Sequence, residues 1–305
     1  MIKFIGAGFQ RCGTTWLYNQ LKSNEEVYMP PKKELHYFDR SNKYSSNSDL
    51  NASSLQERIF SLKWYKIFRR DILKSLKERN YKDAVFYLKW HLSNYNDRWY
   101  LNLFKENYVS GEITPSYSLI EEDELLSIKN IAPDVKIIFI LRNPIDRAWS
   151  QFKYNQKFSE RLKNYNESEI IQFLKQKKVI DRSNYSETLK KYYKIFPPKN
   201  ILITFYDSIL TSPDRLLDDI NKFLGIKSSS ENYHSMNNIY NSSSKTVIPD
   251  KVHDFLKEQY KNQINYLAQN IGGYSIVWKE KLNKSNHKNS ENDLFSSITL
   301  NQSLQ

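Results

Sequence analysis

The chain has 305 residues, 39% hydrophobic and 14% aromatic, enough to bury a sizeable core in one large α/β domain or two small ones. A net charge of +12 makes an anionic ligand, polymer or surface the natural partner, a set that includes nucleic acid and multiply phosphorylated nucleotides. The single cysteine, Cys12, excludes an intrachain disulfide framework and a Cys-rich metal site, and no apolar run approaches the ~18 residues of a membrane span.

Residues 4–17, Phe-Ile-Gly-Ala-Gly-Phe-Gln-Arg-Cys-Gly-Thr-Thr-Trp-Leu, read as a buried strand, a glycine-containing turn and the start of a helix, Thr14–Ser23. Such a turn aims backbone N–H groups and a positive helix end at one spot, which suits a phosphate. Gly8 and Gly13 stand at the G-x-x-x-x-G spacing of a nucleotide P-loop, but Thr14 occupies the place of the Walker lysine and Arg11 is the nearest cation. Taken alone, that spacing is better served by a strand–turn–helix with incidental glycines. A dinucleotide fingerprint is weaker, because position 11 is Arg rather than Gly. Cys12 reads as a small residue filling the turn rather than as a thiol nucleophile. The first strand is expected to begin at Ile2 or Lys3, leaving no room for a secretory signal, so the expectation is a soluble, reduced, cytoplasmic protein.

The next constellation, residues 32–39, is Lys-Lys-Glu-Leu-His-Tyr-Phe-Asp. Lys33, Glu34, His36 and Asp39 together can deprotonate a hydroxyl or amine and stabilise charge on a transferred group. Alone, they read better as an exposed polar loop after Pro30-Pro31. Across 41–97 the texture changes to a polar loop over 41–54 and a basic, aromatic-rich amphipathic helix over 55–77. Its Ile59, Leu62, Ile67 and Leu73 are expected to face the core rather than a membrane. The segment reads as a helical insertion covering a cleft, with Trp64, Trp90 and Trp99 as core or as stacking surfaces.

Residues 108–111 form a weaker strand candidate, followed by Gly-Glu-Ile-Thr-Pro-Ser-Tyr, where Thr114 or Ser116 can reach a ligand but a structural turn is the preferred reading. Residues 135–141, Val-Lys-Ile-Ile-Phe-Ile-Leu, have the β-branched, nearly unbroken apolar character of a central parallel strand. Ligands in open α/β sheets bind beyond the carboxyl ends of strands, where Arg142 emerges. Its guanidinium and the Ser150 hydroxyl can grip a second phosphate, with Arg147 read as a structural ion-pair partner. Helices are expected over 146–158, 187–195 and Pro213–Leu224, the last with Ser212 as N-cap, and a strand over Ile201–Phe205. The alternation predicts βαβ units and a parallel sheet in a single domain over 1–281, followed by a polar, disordered tail over 282–305.

Together, the segments 10–17, 33–39, 111–117 and 142–150 resemble the sulfotransferase family, whose sulfuryl donor is 3′-phosphoadenosine 5′-phosphosulfate (PAPS). The resemblance runs from about Phe4 to at least Ile226, with 41–97 poorly matched. It implies a P-loop nucleotide-kinase-like three-layer fold with a central parallel sheet flanked by helices. It also implies that Arg11, Cys12, Gly13, Thr14, Thr15 and Trp16 grip the 5′-phosphosulfate and that Arg142 and Ser150 bind the 3′-phosphate. The product is then adenosine 3′,5′-bisphosphate (PAP), released without a metal. The Lys-Glu-x-His cluster is similar to that of carbohydrate sulfotransferases of the heparan sulfate type. By that likeness Glu34 is the acceptor's base, His36 its backup or orienting neighbour, Lys33 and Arg11 stabilise the leaving phosphate, and the acceptor is a sugar or polysaccharide. Two departures stand out: Arg11 where the family usually carries Lys, and a C-terminal phosphate loop for which residues 241–245, with Lys245, are the candidate. The rival readings are a P-loop kinase of a small molecule, opposed by Thr14 and the Arg142/Ser150 pair, and a basic nucleic-acid-binding module. The latter lacks a helix-turn-helix, zinc or RNP-type motif, so no specific nucleic acid is expected.

Overall fold

In the computed structural model, which describes residues 1–44, 50, 54–227 and 247–283, five strands pair in parallel in the order β2-β3-β1-β4-β5. They are β1 (Ile2–Gly8), β2 (Val27–Tyr28), β3 (Val109–Ile113), β4 (Lys136–Leu141) and β5 (Ile201–Phe205). From Ile137 to Leu141, β4 is fully buried, as a strand covered by helices on both faces must be. The sheet is the α/β core that the apolar runs predict, flanked by helices.

The chain divides into two compact units, residues 1–141 with 187–242, and residues 142–186 with 243–305. The first holds the whole sheet. There the ring of Tyr192 packs edge-on against Phe139 at 4.8 Å, and its hydroxyl donates to the Tyr117 carbonyl at 2.9 Å. The second is helical: Pro144–Gln156, Glu167–Leu174 and Tyr274–Asn283 pack with the long helix Asp250–Asn270. Phe152, Phe173, Val252, Leu256 and Ile264 form its interior.

Thr14–Ser23, Pro213–Leu224 and Ile201–Phe205 fall where the sequence predicts them, while β3 runs on to Ile113. The helix expected from 146 begins earlier, at Pro144, because proline is preorganised for a first helical position and the Asn143 side chain accepts from Ile145 N–H at 3.0 Å. Ser212 precedes Pro213, but its hydroxyl makes no cap hydrogen bond. The last helix continues through Asn283, into the stretch expected to be a disordered tail; residues 284–305 lie outside the described residues.

The segment 55–92 departs most from expectation. One helix over 55–77 is replaced by Leu55–Ile59 and Leu62–Lys77, since Ser61 Oγ accepts from Trp64 N–H and starts a new helix. A further helix, Tyr81–Leu92, follows. The expected core contacts of Ile59, Leu62 and Leu73 are overturned: these residues are exposed, and Ile67 is only partly covered. The inward stripe is instead Trp64, Phe68, Asp71 and Ser75, which closes on His91 through the Asp71 Oδ2–His91 Nε2 contact at 3.1 Å. Trp90 and Trp99 are buried together, with ring centroids 5.2 Å apart, and so belong to the core.

Candidate active site

The turn after β1 is held by backbone bonds from Phe9 N to Ile140 O and from Cys12 N to Phe9 O, both 3.2 Å. Gly13 then caps the helix Thr14–Ser23 at φ 90°, and a Cβ there would stand 2.4 Å from Ile209 Cδ1. Only glycine suits both that dihedral and that approach. The first turn of the helix carries no acidic residue, so nothing on it neutralises the positive end. Cys12 is buried with its thiol 3.6 Å from the Gln10 carbonyl, the place of a filler. Thr14 and Trp16 are buried, whereas Arg11, Gly13 and Thr15 are partly exposed at the turn.

The second constellation is fastened to this turn. Lys33 Nζ donates to Thr15 Oγ1 at 2.7 Å, across eighteen residues of chain. From Lys33 a line of ionisable groups continues: Glu34 Oε1 lies 3.6 Å from Lys33 Nζ, and Glu34 Oε2 lies 3.5 Å from His36 Nε2. His36 Nδ1 lies 2.9 Å from Asp39 Oδ2, which also accepts from Ser116 Oγ at 2.6 Å. Glu34 is one-third exposed, His36 less so, and Asp39 is buried.

These contacts set the charges. Burial alone would push the Glu34 carboxyl up, but the His36 hydrogen bond and the Lys33 and His36 charges outweigh it and hold the pKa below the ordinary value. Burial would lower His36, yet Asp39 and Glu34 raise it to about 9, so the ring is an imidazolium at neutral pH. Lys33 is pushed down, mainly by burial and further by the charge of Arg11, against the opposing pull of Glu34. Lys33 therefore sets a cation against the first turn of the helix, through Thr15, within range of the Arg11 charge.

A buried scaffold keeps this loop in shape. Leu35 N–H donates to Thr114 Oγ1 at 3.0 Å and Tyr37 N–H to the Tyr117 hydroxyl at 2.9 Å. Thr114 and Tyr117 donate in turn to the Glu112 carboxyl, at 2.6 and 3.2 Å, and the Tyr100 hydroxyl donates to it as well. Leu35 and Tyr37 are thus pinned inward, and the alternating Glu34 and His36 turn outward at φ 59° and 54°. With Arg11 at φ 68°, three expected site residues occupy left-handed backbone, a costly state concentrated where function needs it. Burial pushes Glu112 up to about 7, only partly offset by its three donors. Sequence reasoning passed over Glu112, Tyr100 and Tyr117. The available signal was a carboxylate placed between glycine and isoleucine in a strand. Thr114 and Ser116 belong to the support, as the structural reading of that turn expects.

In the second unit, Arg142 opens the segment leading into Pro144–Gln156, and its carbonyl accepts from the Tyr185 hydroxyl at 2.9 Å. Ser150 lies buried two turns along the helix. Arg147 corrects the ion-pair expectation: its Nε donates to Ser183 Oγ and its Nη2 to the Val179 carbonyl at 2.9 Å, tying two helices without a carboxylate. Its structural role stands; the partner is neutral. Lys245 and the rest of 241–245 lie outside the described residues.

Two curated relatives share part of the sequence. The bifunctional heparan sulfate N-deacetylase/N-sulfotransferase 3 of Mus musculus is 25% identical over 145 residues, 42% of this chain and 16% of that protein. Its counterpart 2 of Homo sapiens is 26% identical over 142 residues, again 42% of this chain and 16% of that one. The chain therefore spans about one-sixth of the length of these relatives. Among solved structures, the sulfotransferase from Alicyclobacillus acidocaldarius superposes with a TM-score of 0.61 at 18% identity, covering 92% of this chain and 99% of that one. That likeness is one of fold. Residues 2–258, which include the turn, the Lys33–Asp39 network and the Arg142–Ser150 helix, match the family described as Sulfotransferase domain, and the chain is a member of that family and a sulfotransferase.

Proposed function

We propose that the chain transfers the sulfuryl group of PAPS to a hydroxyl or amine of a carbohydrate acceptor, with Glu34 as general base. The observation that carries this reading is the Lys33 Nζ–Thr15 Oγ1 bond, which fixes the loop of Glu34 against a turn built for phosphate. Arg11, Lys33 and the backbone N–H groups of Gly13–Thr15 face the leaving phosphate, while Arg142 and Ser150 take the 3′-phosphate. In the transfer, the acceptor oxygen or nitrogen bonds to sulfur as the bond from sulfur to the phosphate oxygen breaks. The acceptor's proton passes to the Glu34 carboxylate, and PAP departs with the electron pair of the broken bond. His36, held as an imidazolium between Asp39 and Glu34, orients the base and keeps it ionised. A carbohydrate acceptor is supported by the named activity of the two curated relatives and by the resemblance of the Lys-Glu-x-His cluster.

Transfer of radiolabelled sulfate from PAPS to a panel of N-unsubstituted and N-acetylated polysaccharides, with a phenol as comparator, tests the reading. Label on a glycan, lost by about 10²-fold or more in Glu34→Gln while calorimetric binding of PAP is kept, is the expected result. Label on the phenol alone removes the carbohydrate assignment, and full turnover in the variant removes Glu34 from its role.

A further inference from the structure

Ten of the nineteen large apolar side chains exposed among the described residues fall within residues 59–92. They are ordered in stripes. On Leu62–Lys77, the residues Leu62, Tyr65, Leu73 and Leu76 recur at helical spacing and are 46–79% exposed. On Tyr81–Leu92, the residues Tyr81, Val85, Leu88 and Leu92 do the same at 40–68%. Because His91, late in the second helix, meets Trp64 and Phe68, early in the first, the two helices run antiparallel. Right-handed helices joined through those faces turn both apolar stripes to one side of the hairpin, with the exposed Lys66, Lys77, Lys82 and Lys89 along its edges.

We infer that this face of the hairpin is a docking surface for an anionic lipid bilayer. Over residues 55–92 there are ten Lys and Arg against four Asp and Glu, so the surface is complementary to acidic headgroups. Lysines at the rim of an apolar stripe run their alkyl stems along it and leave the ammonium in the headgroup layer, and tyrosines favour the same boundary. A second copy of the chain would set one basic rim against another, which charge disfavours. No helix among the described residues is long and apolar enough to cross a membrane, so the hairpin lies on the bilayer rather than spanning it.

Co-sedimentation of the full chain with phosphatidylcholine vesicles, with and without about one-third phosphatidylglycerol, tests this. The expected result is partition onto the anionic vesicles alone, reversed by high salt. Leu73→Glu with Val85→Glu, and separately Lys66→Glu with Lys77→Glu, should each weaken it about tenfold. These side chains are exposed, so an unchanged Tm and unchanged PAP binding are expected in both pairs. Failure of the wild type to partition, equal partition onto uncharged vesicles, or wild-type partition by both variants overturns the inference. So does a lipid-free dimer in sedimentation velocity that Leu73→Glu disperses, which would give this face to a second copy.

Discussion

Glu112 and His36 are one hydrogen-bonded layer apart, and both hold protons that the unfolded chain would release. Glu112 is raised from 4.5 to about 7 by burial, so the stability it contributes is complete below pH 4.5 and is lost as pH rises through 7. His36, raised from 6.5 to about 9 against the opposing effect of burial, contributes fully below 6.5 and loses its share as pH climbs through 9. Glu34 and Asp71 are shifted downward, so their losses fall below their ordinary values of 4.5 and 3.8. The expected outcome is a Tm that declines from pH 5 to pH 9. Glu112→Gln should flatten the lower half of that decline and His36→Asn the upper half, as followed by circular dichroism. Turnover should show its own alkaline limb near pH 9, where the imidazolium beside Glu34 is lost. A wild-type limb that persists unchanged in His36→Asn would assign it to another group.

Individual elements differ in how openly the sequence displays them. β4 and β5 are legible because a strand buried on both faces must be apolar throughout. Pro213–Leu224 is legible because proline opens it and Gly225, at φ 76°, closes it. The hairpin is not, since its buried stripe contains Asp71, Ser75 and His91 while leucines face solvent, inverting the usual pattern. The site divides in the same way. Residues near one another in sequence, Gly8 to Trp16 and Lys33 to Asp39, can be read as clusters. Their union through Lys33 and Thr15, and the Glu112 support beneath, depend on β3 lying beside β1, which no local pattern reports. Two substitutions probe elements directly. Ser61→Ala should cost about 1 kcal/mol, measured by denaturant unfolding, through loss of the cap that separates two helices. Gly13→Ala should be far more damaging, because it adds a Cβ at positive φ where Ile209 stands 2.4 Å away. Calorimetry should show the loss of PAP binding in whatever fraction of that variant folds.

At the scale of the whole molecule, the net charge of +12 bears on both donor and acceptor. Removing the guanidinium in Arg142→Ala should weaken PAP binding roughly 10–100-fold, the worth of charge-assisted hydrogen bonds, in titrations with EDTA present. An anionic polysaccharide acceptor should show a KM that rises with ionic strength, whereas kcat at saturation should change little. The Glu34 loop is anchored from the side of the sheet. The main-chain N–H groups of Leu35, Tyr37 and Phe38 all donate to the hydroxyl of Thr114 or Tyr117, just beyond the C-terminal end of β3. The hairpin meets this segment through Lys32, whose ammonium lies over the Trp90 ring at 5.1 Å. Chemistry and address are therefore separable. The exposed stripe of Leu62, Tyr65, Leu73, Leu76, Tyr81, Val85, Leu88 and Leu92 can be exchanged for other side chains, redirecting where the protein docks. The buried residues of the hairpin stay, and the geometry of the Glu34 loop is inherited from the sheet side.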